Sequence, residues 1–324
     1  LSYMYMSHLF VVRRSLFEKL GGFRAGFEGS QDYDFALRAA EKAREVHHIP
    51  DILYHWRAIA GSTAVSGDAK PASFEAGRRA VDEACRRRGI QAEATHPDWA
   101  QQAKCGIFSL TFPNSGPKVT IIIPTKNKVE LLRACVSSIE SMTTYENYQI
   151  LILDNDSDDP ATLEYLNSCG HSVLRIASKN GKFNFSNLIN QGVDASNSDY
   201  VLLLNNDTVV KSRNWLSQMM GFAQMPGVGA VGAKLYFDDD TIQHAGIVHG
   251  LYGGLAGPAF RGFPNYHHGY LEYLKVPREY AAVTAACLLT KKDIFNSLGG
   301  LNEDDFAVAY NDVDFCYRLV NSGL

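Results

Sequence analysis

The chain has 324 residues, of which 46% are hydrophobic and 20% charged, as in an ordinary globular protein with room for two domains. A net charge of -4 excludes the basic surface typical of nucleic-acid-binding proteins, so no nucleic acid partner is expected. The apolar run at 281–289 is too short to cross a bilayer, and the six cysteines form no C-x-x-C pair.

These features predict a cytoplasmic protein whose cysteines are reduced. No charged-then-apolar leader opens the chain, so export is not expected. The first residue is Leu1 rather than Met, which suggests a fragment.

The chain contains an internal repeat. Residues 10–23 and 287–301 each combine an apolar strand-like triplet, two basic residues, a short amphipathic helix and a Gly-Gly pair where that helix should end. Shortly afterwards both copies carry Asp-x-Asp-Phe followed by Arg, at 31–38 and 311–318. The two copies indicate a duplicated domain.

The second acidic segment predicts a helix with one buried face, formed by Val313, Cys316, Tyr317 and Val320. Asp314 and Arg318 are four residues apart, as are Asp34 and Arg38, and each spacing predicts an ion pair on the surface.

The first copy continues into a predicted strand at 46–57 that contains His55, 23 residues after Asp32. The same offset from Asp312 lies beyond Leu324, so the second copy lacks this tail. We therefore expect three segments. They are the C-terminal piece of a first domain at 1–62, a linker of helix and strand at 63–117, and a second domain at 118–324 that is truncated at its C-terminus.

The expected linker contains loop composition at 61–71, an amphipathic helix at 73–90 with a solvated basic face, and a strand at 104–112. The first piece could form a separate lobe or complete the second domain. A separate lobe is favoured, because most of that piece duplicates elements that the second domain already has.

From Lys118 onward, strands and helices alternate. Buried strands are predicted at 119–124, 148–159 and 200–204 and a weaker one at 172–178, with helices at 129–142 and 185–196. This order predicts an α/β fold with a Rossmann-like, mostly parallel sheet and a ligand crevice at its carboxyl edge. No G-x-G-x-x-G follows the first strand and no P-loop motif occurs, so neither usual phosphate cradle is present.

Polar clusters follow three of these strands: Thr125-Lys126-Asn127, Asp154-Asn155-Asp156-Ser157 and Asn205-Asn206-Asp207. Such hard oxygen ligands suit Mg²⁺ or Mn²⁺, although Asn-Asn-Asp is also ordinary turn composition. Asp312 begins a predicted helix, where the dipole favours a negative charge. An acid near a metal–diphosphate site can accept the proton of an attacking hydroxyl.

In this order, the motifs IIIPTKN, ILILDNDSDD, LLLNNDT, LGGL and NDVDFCYR resemble the inverting glycosyltransferases of family 2, which have the GT-A nucleotide-diphospho-sugar transferase fold. The resemblance covers 118–324, and residues 1 to about 62 look like the closing third of a second such domain. Tandem enzymes of bacterial O-antigen and cell-surface polysaccharide synthesis have this layout.

The resemblance implies roles for individual residues. Asp312 matches the catalytic base, and Asp207 matches the last acid of the metal-binding D-x-D motif, with Asn205 as a possible second ligand. In the first copy, Asp32 corresponds to the base and His55 to the family's metal-binding histidine. The implied nucleotide-sugar contacts are Pro124, Thr125, Asn127, Asp154, Asn155, Asn205 and Asn206, with Asp154 accepting the N–H of the base imide.

The implied reaction is transfer of a sugar from a UDP- or dTDP-linked donor to a growing glycan or lipid-linked glycan, with inversion. A peripheral position at the inner face of the plasma membrane would suit such an acceptor. The alternative is a non-catalytic nucleotide-sugar or glycan-binding module, which Asn205 and the missing tail favour.

The segment 250–270 is rich in glycine and aromatic residues. It suits either a lid over a sugar or an ordinary connecting loop. His244, His267 and His268 are interpreted as surface histidines.

Overall fold

The computed structural model describes residues 1–6, 9–55, 72–178 and 181–324. They form two compact units, Leu1–Phe112 and Pro113–Leu324. The boundary lies near the expected start of the second domain, but the first unit includes 72–112, which the sequence assigned to a linker. None of the helices in these described ranges has the length and hydrophobicity that spanning a bilayer requires.

The first unit consists of helices and one pair of short antiparallel strands. Its elements are α1 (Arg14–Lys19), α2 (Gln31–Ala40), α3 (Ala72–Arg87), β1 (Glu93–Thr95), α4 (Asp98–Gln102) and β2 (Ser109–Thr111). The amphipathic helix predicted at 73–90 is present as α3 and packs on α2. Arg24 links the two helices, because its guanidinium bonds both Asp34 and, at 2.7 Å, Glu83.

Two strand predictions in the first unit are wrong. Residues 46–55 form no strand and are exposed, with Ile52 at 93% exposure; residues 56 and 57 lie outside the described part. The apolar triplet at 10–12 is also irregular, and the predicted strand at 104–112 shrinks to β2. A strand is stable only when another strand satisfies its backbone groups, and the described part of this unit gives 10–12 and 46–55 no such neighbour.

The second unit begins with the predicted alternation and then adds short antiparallel pairs. Its first elements are β3 (Val119–Thr125), α5 (Val129–Met142), β4 (Tyr148–Asp154), α6 (Pro160–Ser168), β5 (Ser172–Arg175), α7 (Phe185–Ala195), β6 (Tyr200–Leu204), α8 (Trp215–Ala223) and β7 (Ala230–Gly232). They are followed by β8 (Leu235–Tyr236), β9 (Ile242–His244), β10 (Ile247–His249), α9 (Leu251–Gly254), β11 (Ala256–Pro258), β12 (Cys287–Lys291), α10 (Lys292–Ser297) and α11 (Asn311–Asn321).

The main sheet has the strand order β5-β4-β3-β6-β12-β7. The neighbours among β3, β4, β5 and β6 are parallel, whereas β12 is antiparallel to both β6 and β7. The predicted mostly parallel α/β sheet is therefore confirmed.

Helix α6 is an element that the sequence analysis missed. Its signal was present, because Asp159 and Pro160 are typical of the N-cap and first helical positions. Asp159 accepts hydrogen bonds from the backbone N–H and the hydroxyl of Thr162, at 2.9 and 2.7 Å.

The core lies on both faces of the main sheet. Alternate residues of β3 pack on opposite faces of the sheet. Ile121 and Ile123 pack on the side of α5 and α8, whereas Ile122 packs on the side of α7 and α11. Gly192 allows α7 to approach closely, since a Cβ there would lie 2.6 Å from Leu153. These contacts fix the carboxyl edge of the sheet between two helical layers.

The two sequence repeats form the same hydrogen-bond network. Arg318 bonds Asp314 Oδ2 and donates to the carbonyls of Leu298 and Gly300, at 2.6 and 2.8 Å. In the first unit Arg38 bonds Asp34 Oδ2 in the same way and donates to the carbonyls of Leu20 and Gly22, at 2.8 and 2.7 Å.

The predicted pairs are therefore present, but they are not on the surface. The side chain of Asp34 is fully buried, and those of Asp314 and Arg318 are mostly buried. The arginine binds carbonyls at the end of the preceding short helix, which draws the acidic helix against it.

We predict that Arg318→Met lowers the free energy of unfolding by about 2–4 kcal/mol, because it leaves a carboxylate and two carbonyls without their charged donor. Urea unfolding followed by circular dichroism measures the change. Lys211→Met is the control, since Lys211 forms an exposed ion pair with Asp240. Equal stability of the two variants would contradict the structural role of Arg318.

Candidate active site

The antiparallel strand β12 brings distant parts of the chain to the end of β6. Cys287 is in register with Leu204, and the next amide, Asn205 N–H, donates to the carbonyl of Ala286 at 3.1 Å. The residues just before β12 therefore lie beside Asn205, at the carboxyl edge of the sheet.

Asp312 is held at this same place. Its Oδ2 accepts the backbone N–H of Ala285 at 3.0 Å, and its Oδ1 accepts that of Val313 at 2.8 Å. The side chain is partly buried at the start of α11. A residue more than a hundred positions after β6 is thus bonded to the segment that leads into β12, the strand that pairs with β6.

The loop before α11 is anchored to α7. Glu303 accepts from the side-chain amides of Asn187 and Asn190, at 2.8 and 2.9 Å. Ser186 bonds the carbonyls of Phe306 and Ala307. These contacts fix residues 308–310, so α11 enters the site from a defined direction.

A cavity of about 480 Å³ opens at this edge of the sheet. Its charged residues are Lys126, Lys128, Asp207 and Asp312. The remaining lining residues are Pro124, Thr125, Asn155, Phe183, Phe185, Leu188, Asn205, Asn206, Thr284, Ala285, Ala286, Val308, Ala309, Tyr310 and Asn311. The three strand-end clusters and the acidic helix, separate in the sequence, therefore share one cavity.

Thr125 connects two of these strand ends. Its hydroxyl accepts the side-chain amide of Asn206 at 2.9 Å and donates to the carbonyl of Asn127 at 3.2 Å. Asn206 is therefore held by its amide nitrogen, which leaves its amide oxygen available to a ligand.

Two of the predicted nucleotide-sugar contacts, Asn127 and Asp154, do not line the cavity. The side-chain oxygen of Asn127 accepts the backbone N–H groups of Asp158 and Asp159, each at 3.0 Å. Asp154 is 2% exposed, and its Oδ1 accepts the N–H of Ser157 at 2.9 Å. In this structure both residues shape the loops after β3 and β4, and their contact with a nucleotide stays a prediction.

Asn155, the residue after Asp154, does line the cavity. It is 4% exposed, and its amide nitrogen donates to the carbonyl of Ile176 and the hydroxyl of Ser178, each at 3.1 Å. This buried, fully oriented amide defines the β4 end of the cavity.

The sequence analysis gave no role to several cavity residues. Lys126 and Lys128 flank Asn127 in the loop after β3, and their charge was a signal that could have identified them. Phe183 is 51% exposed at the cavity, and Tyr310 has a left-handed backbone with φ of 60° at the start of α11. Nothing in the local pattern marks Thr284, Ala285 and Ala286, since only the pairing of β12 brings them here.

The oxygen atoms at the end of β6 fit a divalent cation such as Mg²⁺ or Mn²⁺. Asp207 supplies one exposed carboxylate, and Asn205 and Asn206 supply amide oxygens. Magnesium is typically held by one or two carboxylates together with substrate phosphates and water. No cluster of three or more His, Cys, Asp or Glu suited to a metal occurs among the described residues.

The predicted histidines lie in different surroundings. His55 is exposed in the first unit, and its assignment as a metal ligand stays a prediction. His244 is 4% exposed, so its interpretation as a surface residue is wrong; burial lowers its pKa to about 4. His267 and His268 are exposed, as expected.

The first-copy acid Asp32 resembles Asp312 in its local geometry. Its Oδ1 accepts the N–H of Tyr33 at 2.9 Å, the counterpart of the Asp312–Val313 bond. The partner of Asp312 at Ala285 corresponds to position 7, which lies outside the described residues.

Residues 120–299, more than half of the chain, match the model of glycosyl transferase family 2. The chain belongs to glycosyltransferase family 2. The match includes β3, β4 and β6 with their polar ends, and it stops just before the Asp312 helix.

Two relatives align with almost the whole chain. The protein y4gI of Sinorhizobium fredii is 43% identical over 98% of this chain and 35% of its own length. The O-antigen biosynthesis protein RfbC of Myxococcus xanthus is 35% identical over 99% of this chain and 25% of its own. The chain thus spans between a quarter and about a third of these relatives.

Among solved structures, this glycosyltransferase chain is similar to the mannosyltransferase PcManGT of Pyrobaculum calidifontis, in complex with GDP-Man and Mn²⁺. That alignment covers 79% of this chain and 63% of the other, with a TM-score of 0.47 and 15% identity.

We predict that Asn127→Ala loosens the loop after β4, because the N–H groups of Asp158 and Asp159 lose their shared acceptor. Hydrogen–deuterium exchange at 155–162 should rise, and the free energy of unfolding should fall by about 1–2 kcal/mol. The control is Asn214→Ala, an exposed helix-start residue without a side-chain capping bond. Unchanged exchange at 155–162 would show that Asn127 does not hold this loop.

Proposed function

We propose that this chain carries an inverting glycosyltransferase site that moves a sugar from a UDP- or dTDP-linked donor to a growing cell-surface glycan or lipid-linked glycan. The observation that carries the proposal is the meeting of Asp207 and Asp312 in one cavity with Thr125, Asn155 and Asn206. This reaction needs two carboxylates, one that can bind a cation and one that can accept a proton.

Asp312 is the proposed catalytic base. Its carboxylate accepts the proton of the acceptor hydroxyl as that oxygen attacks the anomeric carbon of the donor. The bond from the anomeric carbon to the diphosphate breaks on the opposite face, and the nucleoside diphosphate leaves with the bonding electrons. Attack from the face opposite the leaving group inverts the anomeric configuration.

The backbone contacts of Asp312 support this role. The N–H groups of Ala285 and Val313 orient the carboxylate by donating hydrogen bonds to it. Neither N–H group carries a positive charge that would neutralise the carboxylate, and neither is an acid that would transfer a proton to it. Asp314, two residues later, is instead paired with Arg318. The two acids of the motif thus have separate partners, which agrees with separate roles.

Asp207, with Asn205 as a possible second ligand, would hold Mg²⁺ or Mn²⁺. When bound there, the cation would offset part of the negative charge of the diphosphate. The wall formed by Pro124, Thr125 and Asn155 would face the nucleoside end of the donor. Asp154, the last residue of β4, is the proposed partner of the base imide.

The wider setting of the site is also a proposal. We place residues 1–62 as the C-terminal piece of a preceding glycosyltransferase domain and as a separate lobe, within a tandem enzyme of O-antigen type. The repeated arginine network supports the duplication. A cytoplasmic enzyme at the inner face of the plasma membrane would meet a lipid-linked acceptor there.

The alternative is a binding module without turnover, and the single carboxylate at the end of β6 favours it. Calorimetric titration of UDP, dTDP and GDP with and without Mn²⁺, combined with an assay of donor hydrolysis, separates the two functions. Binding with hydrolysis supports the enzyme, and binding without hydrolysis supports a nucleotide-sugar-binding module. No binding of any nucleotide contradicts both of these and is the result expected of a glycan-binding module.

For the base, we predict that Asp312→Asn retains nucleotide affinity and lowers sugar transfer by about 10²–10⁴-fold, the usual effect of losing a general base. Asp293→Asn is the matched control, because Asp293 is also the second residue of a helix but is exposed and outside the cavity. Wild-type transfer by Asp312→Asn would place the base elsewhere.

For the cation, we predict that Asp207→Ala removes the effect of Mn²⁺ on UDP affinity and leaves the metal-free affinity within about twofold of wild type, since one carboxylate supplies the charged ligand. Titrations with Mn²⁺ and with EDTA measure both values. Asp238→Ala, at an exposed acid outside the cavity, should behave as wild type. A full Mn²⁺ effect in Asp207→Ala would rule out this cation site.

A further inference from the structure

We propose that Lys126 and Lys128 bind the diphosphate of the donor, so that this cavity neutralises it with two ammonium groups as well as a cation. The inference rests on the proposed function and specifies how the same site holds its ligand. Its consequence is that nucleoside diphosphates bind without metal, through these lysines.

The first observation is position. Both lysines line the cavity together with Asn205, Asn206 and Asp207. They stand on either side of Asn127, whose side chain is held by the loop after β4 and whose backbone N–H donates to Ser157 at 2.8 Å. The residue between the lysines is therefore fixed, which keeps both lysines at the cavity.

The backbone of this loop supports the same placement. Asn127 and Lys128 both have left-handed conformations, with φ of 55° and 60°. Two consecutive residues of this kind are uncommon outside glycine and cost free energy, so the surrounding contacts must hold them.

The second observation is that these charges are unpaired. Both side chains are exposed, and no ion pair or side-chain hydrogen bond joins either ammonium group to another of the residues that the structure describes. Two other lysines of this unit do have partners, since Lys211 pairs with Asp240 and Lys118 donates to Asn197. Two unpaired cations at one cavity wall indicate an anionic ligand.

The third observation is the charge balance of the site, in which Asp207 is the one carboxylate proposed to bind the cation. A departing nucleoside diphosphate carries about three negative charges near neutral pH, because the second pKa of a phosphate is about 6. A divalent cation held by Asp207 alone contributes a net charge of about +1. Lys126 and Lys128 supply the two further positive charges that bring the site close to neutrality.

The test is calorimetric titration of the whole chain with UDP, UMP and uridine in EDTA. We expect wild-type affinity to fall from UDP to UMP to uridine and to weaken with added salt. The Lys126→Gln/Lys128→Gln double variant should bind UDP about tenfold or more weakly, since charge-assisted contacts to phosphate are strong, and uridine as wild type does. Lys126→Arg/Lys128→Arg should restore UDP binding, because it keeps both charges.

Lys118→Gln is the matched control, since Lys118 lies at the opposite, amino end of β3. If UDP binds only with Mn²⁺, or binds the double glutamine variant as tightly as wild type, the lysine proposal is wrong while the glycosyltransferase site stands. If wild type binds neither UDP nor dTDP nor GDP, with or without Mn²⁺, the proposed function itself fails.

Discussion

The pairing of β12 with β6 is the constraint on which this site depends. Because the two strands are antiparallel, the chain enters β12 at the edge where β6 ends, and Ala286 bonds Asn205 there. Ala285 then holds Asp312. A parallel β12 would begin at the opposite edge of the sheet, and the acid proposed as base would lose its link to the acid proposed to hold the cation.

The arginine network supplies the second constraint. Arg318 binds carbonyls at the end of α10 and the carboxylate of Asp314, which fixes the helix that carries Asp312. The first unit repeats this network around Arg38, although its apolar triplet at 10–12 is not part of a sheet. The helical half of the motif is therefore stable by its own contacts, whereas the strand half requires partners.

A cavity with one acid from a strand end and one from a helix start differs from a site built on clustered acids. Few residues are proposed to bind the cation. The loop after β3 contributes a lysine on each side of Asn127, whose own side chain is already hydrogen-bonded to the loop after β4. Charge in this cavity is thus distributed between loops and strands. Such a distribution suits a ligand whose own charge is spread over a diphosphate.

The sequence by itself determined the parallel strands and the polar residues at their ends, because buried runs and strand ends are local patterns. It also determined the repeat and the Asp314–Arg318 pair, whose spacing is local to one helix. Only the tertiary structure decided that Asp154 and Asn127 hold loops while Asn155 and the lysines line the cavity. It also decided that residues 46–55 form no strand and that Ala285 holds Asp312. These outcomes depend on pairing and burial between distant segments, which a local pattern does not encode.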